Sequence, residues 1–326
     1  MKIKKKMTLL ISSLIVSGTL FTGIISFSIT DSVVRNNSNT MMDVQCQQKI
    51  SEINAKMEEL VRSTNVCLSF AQQFLPNDLF DNEEEQNDYL EIMRLILQNQ
   101  ITNNPDIYTA YFVLNYEEAG TSGVFLTQEE KGQIAKIELT DLSSYTPGNP
   151  QVCWYYEPKA AKKPVWLKAY SNEELNSTQM VSYTIPFYKG DVFIGVIGMD
   201  LKLEHLINQI KDVKLYETGF AVLSDVDGSI IYHPELEGFI NRHEFDAGLV
   251  EVSDRLLSHK NEFFTYKSRN GKKRLVNREL TNGMIVAIVV PLSEINKPHY
   301  KLAVEFFIAL IVILSVSITI NGIFLS

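Results

Sequence analysis

The densest group of chemistry-bearing side chains in this 326-residue chain lies at residues 152–156, VCWYY. Trp154, one of two tryptophans, is followed directly by Tyr155 and Tyr156. The other, Trp166, comes shortly after, with Tyr170 just behind it. Tryptophan and tyrosine offer a ring face and a polar tip, so such a cluster can fill a core, face a partner or line a ligand pocket. Asp200 closes the run GVIGMD. Its glycines leave room for another group to approach, so Asp200 can meet a ligand. It can equally cap the helical stretch KLEHLINQI at 202–210. Asp225, Asp227 and Gly228 resemble a fragment of a calcium loop, but a third ligand and the closing Glu are missing in register, so a hairpin turn is expected. His205, His233, His243, His259 and His299 form no i, i+4 pair and lie far from cysteine. No metal and no cofactor is expected. The sequence has no G-x-S-x-G and no H-E-x-x-H, so an extracellular hydrolase is not the expected reading.

The elements that must position these residues begin at a membrane. MKIKKK carries four lysines, and Met7 to Thr30 carries no charge. About 20 apolar residues span a bilayer, and no A-x-A-like cleavage site follows, so an uncleaved anchor is expected. A second uncharged run covers Phe306 to Leu325. The lysines place the N-terminus in the cytoplasm, which leaves about 31–300 outside. A helix re-entering the cell with nothing behind it implies a continuation or an intramembrane partner. Of 30 basic and 39 acidic residues, only Lys2, Lys4, Lys5, Lys6, Lys301 and Glu305 fall outside 31–300, so that segment keeps a net charge of −13. Such a surface repels nucleic acid and anionic lipid. Three cysteines are no disulfide framework. Cys46 and Cys67 on one helix stand about 30 Å apart; a Cys67–Cys153 bridge is possible, but free buried cysteines are expected.

Residues 31–75 contain neither Pro nor Gly, and Cys46, Ile50, Ile53, Met57 and Leu60 recur at 4-3-4-3 spacing. This is a helix with a narrow apolar stripe, packed on the chain's own sheet or on a second copy. EEEQNDYLEIMRLILQNQI (83–101) gives a second helix, capped near Asp81. DIYTAYFVLN and GVFLT read as strands. The turn-forming SSYTPGNPQ delivers VCWYY, and VSYTIPFYKGDVFIGVIGMDL makes two strands around Lys189–Gly190–Asp191. A shorter block repeats the theme, with hairpins at Asp227–Gly228 and Asn270–Gly271 and the apolar strand GMIVAIVVPL.

The blocks WYYEP, W-x-x-x-Y, SYTIPFYKGDVFIGVIGMD, TGFAVLSDVDGSIIYHP and NGMIVAIVVP, in this order, resemble the double Cache extracytoplasmic sensor domain of bacterial transmembrane receptors. The resemblance covers about 31–300. It implies an α+β fold, with a long N-terminal helix carrying two tandem PAS-like antiparallel-sheet modules between two transmembrane helices. The expected division is a cytoplasmic tail at 1–6, spans at 7–30 and 301–326, a stalk helix at 31–75, a membrane-distal ligand-binding module at 76–212 and a membrane-proximal module at 213–300. Members that bind amino acids are similar in using a Trp-Tyr pair, an Arg two residues before the Trp, a Tyr with an acid two residues on, and a final Asp. Trp154, Tyr155, Tyr170 and Asp200 match, but Val152 stands at the Arg position and Asn172 at that of the acid. Tyr183 and Trp166 complete the expected ligand set. Without the Arg there is no fork for a carboxylate, although Lys162, Lys163 or Lys168 could supply a cation. Asp200 and the tyrosines suit an amine or amine-bearing metabolite. The expectation is thus a homodimeric, two-pass receptor of the cell membrane, non-enzymatic outside the cell, serving chemotaxis, kinase or diguanylate cyclase output. The alternative is an anchored extracellular interaction module without a small ligand.

Overall fold

The computed structural model describes residues 2–129, 132–236, 238–244, 247–258 and 260–325. Met1, Ser326 and His259 therefore lie outside the described residues. One helix, α1, runs unbroken from Lys2–Phe74, 73 residues. No Pro or Gly interrupts it after Gly23, and Pro76 ends it, because the residue before a proline is pushed out of the helical region. Helix α2 (Glu83–Asn103) starts at Asn82, not Asp81. The Asn82 side chain accepts the N–H groups of Glu84 and Glu85, and three glutamates in the first turn complement the helix dipole.

The first sheet then forms: β1 (Ile107–Leu114), a short helix α3 (Tyr116–Ala119), β2 (Gly123–Gln128) and β3 (Ile134–Lys136). After a loop come helix α4 (Cys153–Ala161), β4 (Val165–Trp166), β5 (Tyr170–Asn172), β6 (Thr178–Lys189) and β7 (Val192–Lys202). The strand order is β3-β2-β1-β7-β6-β4, with β5 also on β6. Helix α5 (Leu203–Ile210) links it to the second sheet. That sheet contains β8 (Phe220–Ser224), β9 (Ile230–Tyr232), β10 (Phe263–Ser268), β11 (Gly271–Glu279) and β12 (Ile285–Pro291), with helix α6 (Ala247–Ser258) between β9 and β10. Its order is β10-β11-β12-β8-β9. A short helix α7 (Leu292–Ile295) leads into α8 (Lys297–Leu325). The expected α+β architecture of two antiparallel modules on one long helix is the architecture observed.

A single apolar core runs along α1 and joins both sheets to it. Cys46, Ile53, Met57 and Leu60 are fully buried there with Phe112, Ile197, Val286 and Ile288. The 4-3-4-3 stripe is therefore filled by the chain's own sheets. A second copy cannot use this face. Truncating one such side chain to Ala costs about 2–5 kcal/mol. Two further cores lie on the outer sheet faces, one around Tyr111, Trp154 and Tyr155 and one around Phe220, Phe264 and Leu275. All three cysteines are free, so Cys67 and Cys153 do not pair. The ends of α1 and α8 are long and apolar enough to cross a membrane. There they pack together: Gly23 lies directly against the Phe306 ring, where a Cβ would collide with it, and Phe27 meets the His299 ring at 5.6 Å.

Candidate functional site

Strand parity decides which side chains can meet. Successive residues of a strand point to opposite faces. On β7, Ile197, Met199 and Leu201 enter the core along α1, so Val196, Gly198 and Asp200 turn to the outer face. Register places Thr109 of β1 and Ser182 of β6 on either side of Asp200. Tyr111 and Thr184 flank Gly198 in the same way. The Tyr111 ring lies across Gly198, and a Cβ at that position would collide with the phenol. The glycine thus holds open the space that the tyrosine occupies.

Asp200 is fully buried at the centre of this face. One carboxylate oxygen, Oδ2, accepts a hydrogen bond from Thr109 Oγ1. The other, Oδ1, has no partner among the described residues; neither do the Tyr111 hydroxyl and Thr184 Oγ1. Buried polar atoms are nearly always paired, so three without a partner on one sheet face are unusual. Burial raises the Asp200 carboxyl from its ordinary 3.8 to about 7, against the opposing pull of the Ser182 and Thr109 hydroxyls. The capping alternative does not apply. The N-cap of α5 is Lys202, and Asp200 sits inside the strand.

The aromatic cluster closes the face from outside. SSYTPGNPQ ends in a tight turn at Pro150–Val152, where the Asn149 side chain accepts the Gln151 N–H. VCWYY then enters α4. Trp154 packs edge-on against Tyr111 (5.0 Å between centroids) and Phe125 (5.9 Å), and its Nε1 donates to the Gln151 carbonyl at 3.0 Å. Tyr155 lies deeper. Its hydroxyl accepts the Tyr116 N–H at 3.2 Å and donates to the Leu114 carbonyl at 3.5 Å, toward the opposite end of the strands from Asp200. The Tyr170 hydroxyl accepts from Ser182 Oγ at 3.0 Å. Burial, then the Asp200 carboxylate, push the Tyr170 and Tyr111 phenols well above the usual tyrosine range. Cys153 stands close by; its thiol is pushed up to about 12, first by burial, then by Glu157 and Asp200.

Asp200, Tyr170 and Trp154 therefore share one face. Tyr155 shares that face but braces its far end. Trp166 and Tyr183 do not join them. Their rings meet at a tilt, 5.1 Å between centroids, and pack against the core along α1, on the other side of the sheet. Thr109, Tyr111, Ser182 and Thr184 are additions. Alternation in IYTAYFVL and SYT sets Thr109 with Tyr111 and Ser182 with Thr184, but only the register of β6 on β7 puts Ser182 rather than Tyr183 beside Asp200. Val152 is fully buried and carries no charge to this face. Lys168 is turned outward to Asp227 at 3.5 Å, and Lys162 and Lys163 are exposed.

Residues 93–208 match the family described as methyl-accepting chemotaxis protein-like, first PDC sensor domain. No curated protein matches the chain. Solved structures do. The periplasmic sensory domain of the Campylobacter jejuni chemoreceptor Tlp1 is 17% identical with a TM-score of 0.63, covering 81% of this chain and 99% of that one. The ligand-binding domain of Campylobacter jejuni Tlp3 in complex with L-norvaline is 19% identical with a TM-score of 0.56, covering 83% and 95%. The extracellular domain of a protein named as a histidine kinase, mmHK1S-Z2, is 17% identical with a TM-score of 0.61, covering 79% and 98%. At this identity the likeness is one of fold. Residues 93–208 thus match a PDC sensor domain, and the fold of the chain is that of the solved sensor domains above.

Proposed function

We propose that the chain is the ligand-sensing region of a two-span bacterial membrane receptor, and that its distal module binds a small amine-bearing metabolite at Asp200. In this reading the division is that of spans at 7–30 and 301–326, a stalk at 31–75, a distal module at 76–212 and a proximal module at 213–300. The receptor works as a homodimer, meeting its partner through the outer side of α1. One observation carries the ligand class: a fully buried carboxylate with an unpartnered oxygen, set among the hydroxyls of Tyr111, Tyr170 and Thr184. An ammonium supplies the missing donor and the missing counter-charge at once. The tyrosine faces and Trp154 suit its cationic shell. Tlp3 has been solved with L-norvaline, L-valine and 4-methylisoleucine, ligands that all contain an ammonium group. Here the buried Val152 offers nothing for a ligand carboxylate, which favours amines in which the acid is absent or blocked.

Binding shifts the population of two arrangements of the first sheet and α1, by as much as the ligand's affinities for the two differ. The test is calorimetry of small amines, amino acids and amino acid amides against the full chain in detergent or nanodiscs. Saturable binding of an amine that is lost in Asp200→Asn supports the reading. A ligand that binds Asp200→Asn equally well removes it.

A further inference from the structure

The outer face of the second sheet contains a cavity of about 480 Å³, within the range of small-molecule sites. It lies between β9, the β10–β11 hairpin and α6, away from α1. This is the same relation to its sheet that Asp200 has to the first. Leu236, Leu249, Val252 and Tyr266 give it apolar walls. Lys273 lies on its floor, directly opposite Tyr266 in the β10–β11 register. The Lys273 side chain is only 6% exposed, although it is a lysine in mid-strand. Its ammonium sits 4.7 Å from the centre of the Phe220 ring and donates to both Glu235 oxygens, at 3.0 and 3.1 Å.

This ion pair is lopsided. The cation is buried and fixed by the strand. The anion is 51% exposed and sits on the segment after β9. A buried ammonium requires a counter-charge, but a half-exposed carboxylate on a loop is held weakly and can be exchanged for another. His233 adds no competing charge. Its Nδ1 accepts the Glu235 N–H, and burial holds its pKa below the ordinary 6.5, against the pull of Glu235. The rim carries further positive side chains in Lys267 and Arg269.

We infer that this cavity is a second ligand site, taking a small organic carboxylate with a short apolar chain, and that Glu235 is the internal stand-in for that carboxylate. The ligand's acid group displaces Glu235 from Lys273, and its chain lies along Leu249, Val252 and Tyr266. The two modules thereby select opposite charges: a buried acid for a cation in the first, a buried lysine for an anion in the second.

The experiment titrates straight-chain monocarboxylates, acetate to hexanoate, into the full chain in nanodiscs by calorimetry. Saturable binding is expected, tighter as the chain lengthens toward butyrate. Glu235→Gln removes the competitor and should tighten binding about tenfold. Lys273→Gln should abolish it. Leu249→Trp, which fills the cavity from α6 and leaves the ion pair alone, should also abolish it, and so provides a check if Lys273→Gln folds poorly. Asp200→Asn should leave carboxylate binding unchanged, whatever it does to amines. The inference is overturned if no carboxylate saturates, if Glu235→Gln fails to tighten binding, if Leu249→Trp binds normally, or if Asp200→Asn abolishes it.

Discussion

The Asp225 carboxylate, on the second sheet's first hairpin, accepts a hydrogen bond from the main-chain N–H of Ala169, on the first sheet's loop, at 3.1 Å. Asp225 is almost fully buried, and its other oxygen takes the Val226 N–H at 2.8 Å. Burial raises its pKa, and those two N–H groups oppose the rise. Ala169 immediately precedes Tyr170, whose hydroxyl faces Asp200. The face around Asp200 is thus one residue away from a direct bond to the second module. Asp225 thus belongs to the hairpin turn, as expected, and also acts as a latch between the modules.

Asp225→Ala should leave the Ala169 N–H without its acceptor and cost about 1–3 kcal/mol. Hydrogen exchange at Ala169 should accelerate relative to the neighbouring β6 amides, while amine affinity at Asp200 changes little. Unchanged protection at Ala169 would show that the latch carries no weight.

Asp200→Asn should weaken the binding of a cationic ligand by roughly 10- to 150-fold, since a charge-assisted hydrogen bond contributes about 1.5–3 kcal/mol and about 1.4 kcal/mol is tenfold. The unliganded protein should become more stable at pH 8, because an unpaired buried charge has been removed. Calorimetry and a thermal melt on one preparation measure both effects.

The pH dependence follows from the same group. Asp200 is raised from 3.8 to about 7 in the folded chain. Between those values the folded state holds a proton that the unfolded state has lost, so stability falls as pH rises from about 4 to about 7. The total is at most about 4 kcal/mol, at 1.36 kcal/mol per unit. Asp225, also raised by burial, acts in the same direction. Melting temperatures of wild type minus Asp200→Asn, taken from pH 4 to 8, should decline across that window. Amine affinity should run the other way, weakening about tenfold per unit below pH 7, where Asp200 must give up its proton to bind. A flat difference curve would place the Asp200 carboxyl at its ordinary value.

Trp154→Ala should destabilise the first module by about 3–5 kcal/mol, the cost of a large aromatic cavity, because Trp154 touches Tyr111, Tyr155 and Phe125 together. Denaturant melts read this loss directly. Trp166→Ala should also destabilise the fold, yet leave amine affinity nearly unchanged, since Trp166 packs on the α1 side of the sheet.

Cross-linking separates the two sides of α1. Ile53 is fully buried against the sheets, whereas Met41 and Val44 are exposed. In the full chain a cysteine at Val44 should join two copies on oxidation, and one at Ile53 should not. Native thiols interfere little: burial pushes Cys46, Cys67 and Cys153 up to about 12, which keeps them protonated and unreactive. Efficient linkage through position 53 would mean that the helix leaves its sheets.

The sequence showed the long helix, both sheets and their hairpins because each rests on local chemistry: absence of Pro and Gly in α1, alternation in the strands, Asn270–Gly271 and Asp227–Gly228 in the turns. It also pointed to Asp200 and the Trp154 cluster. It could not show which partner the 4-3-4-3 stripe meets, since Ile53 and Met57 are equally apolar against a sheet or a second helix. Nor could it distinguish Ser182 from Tyr183 without the register of β6 on β7, because a one-residue difference exchanges the two faces. Lys273 was legible only as a charge in a basic hairpin. Its burial depends on Phe220 and Glu235, both distant in sequence.

The unbroken helix α1 also sets a phase. Its apolar N-terminal part faces α8 through Gly23, and its later turns face the sheets through Cys46, Ile53 and Leu60. With no Pro or Gly between these regions, nothing in the chain can absorb a change of angle. One extra residue near position 36 would turn one region about 100° against the other at 3.6 residues per turn. Either the Gly23 contact with Phe306 or the buried stripe would then be lost. Seven extra residues would restore the alignment to within about 20° while lengthening the rod by about 10 Å. The helix therefore fixes azimuth as strictly as it fixes distance, and insertions here should be tolerated by heptads rather than by length.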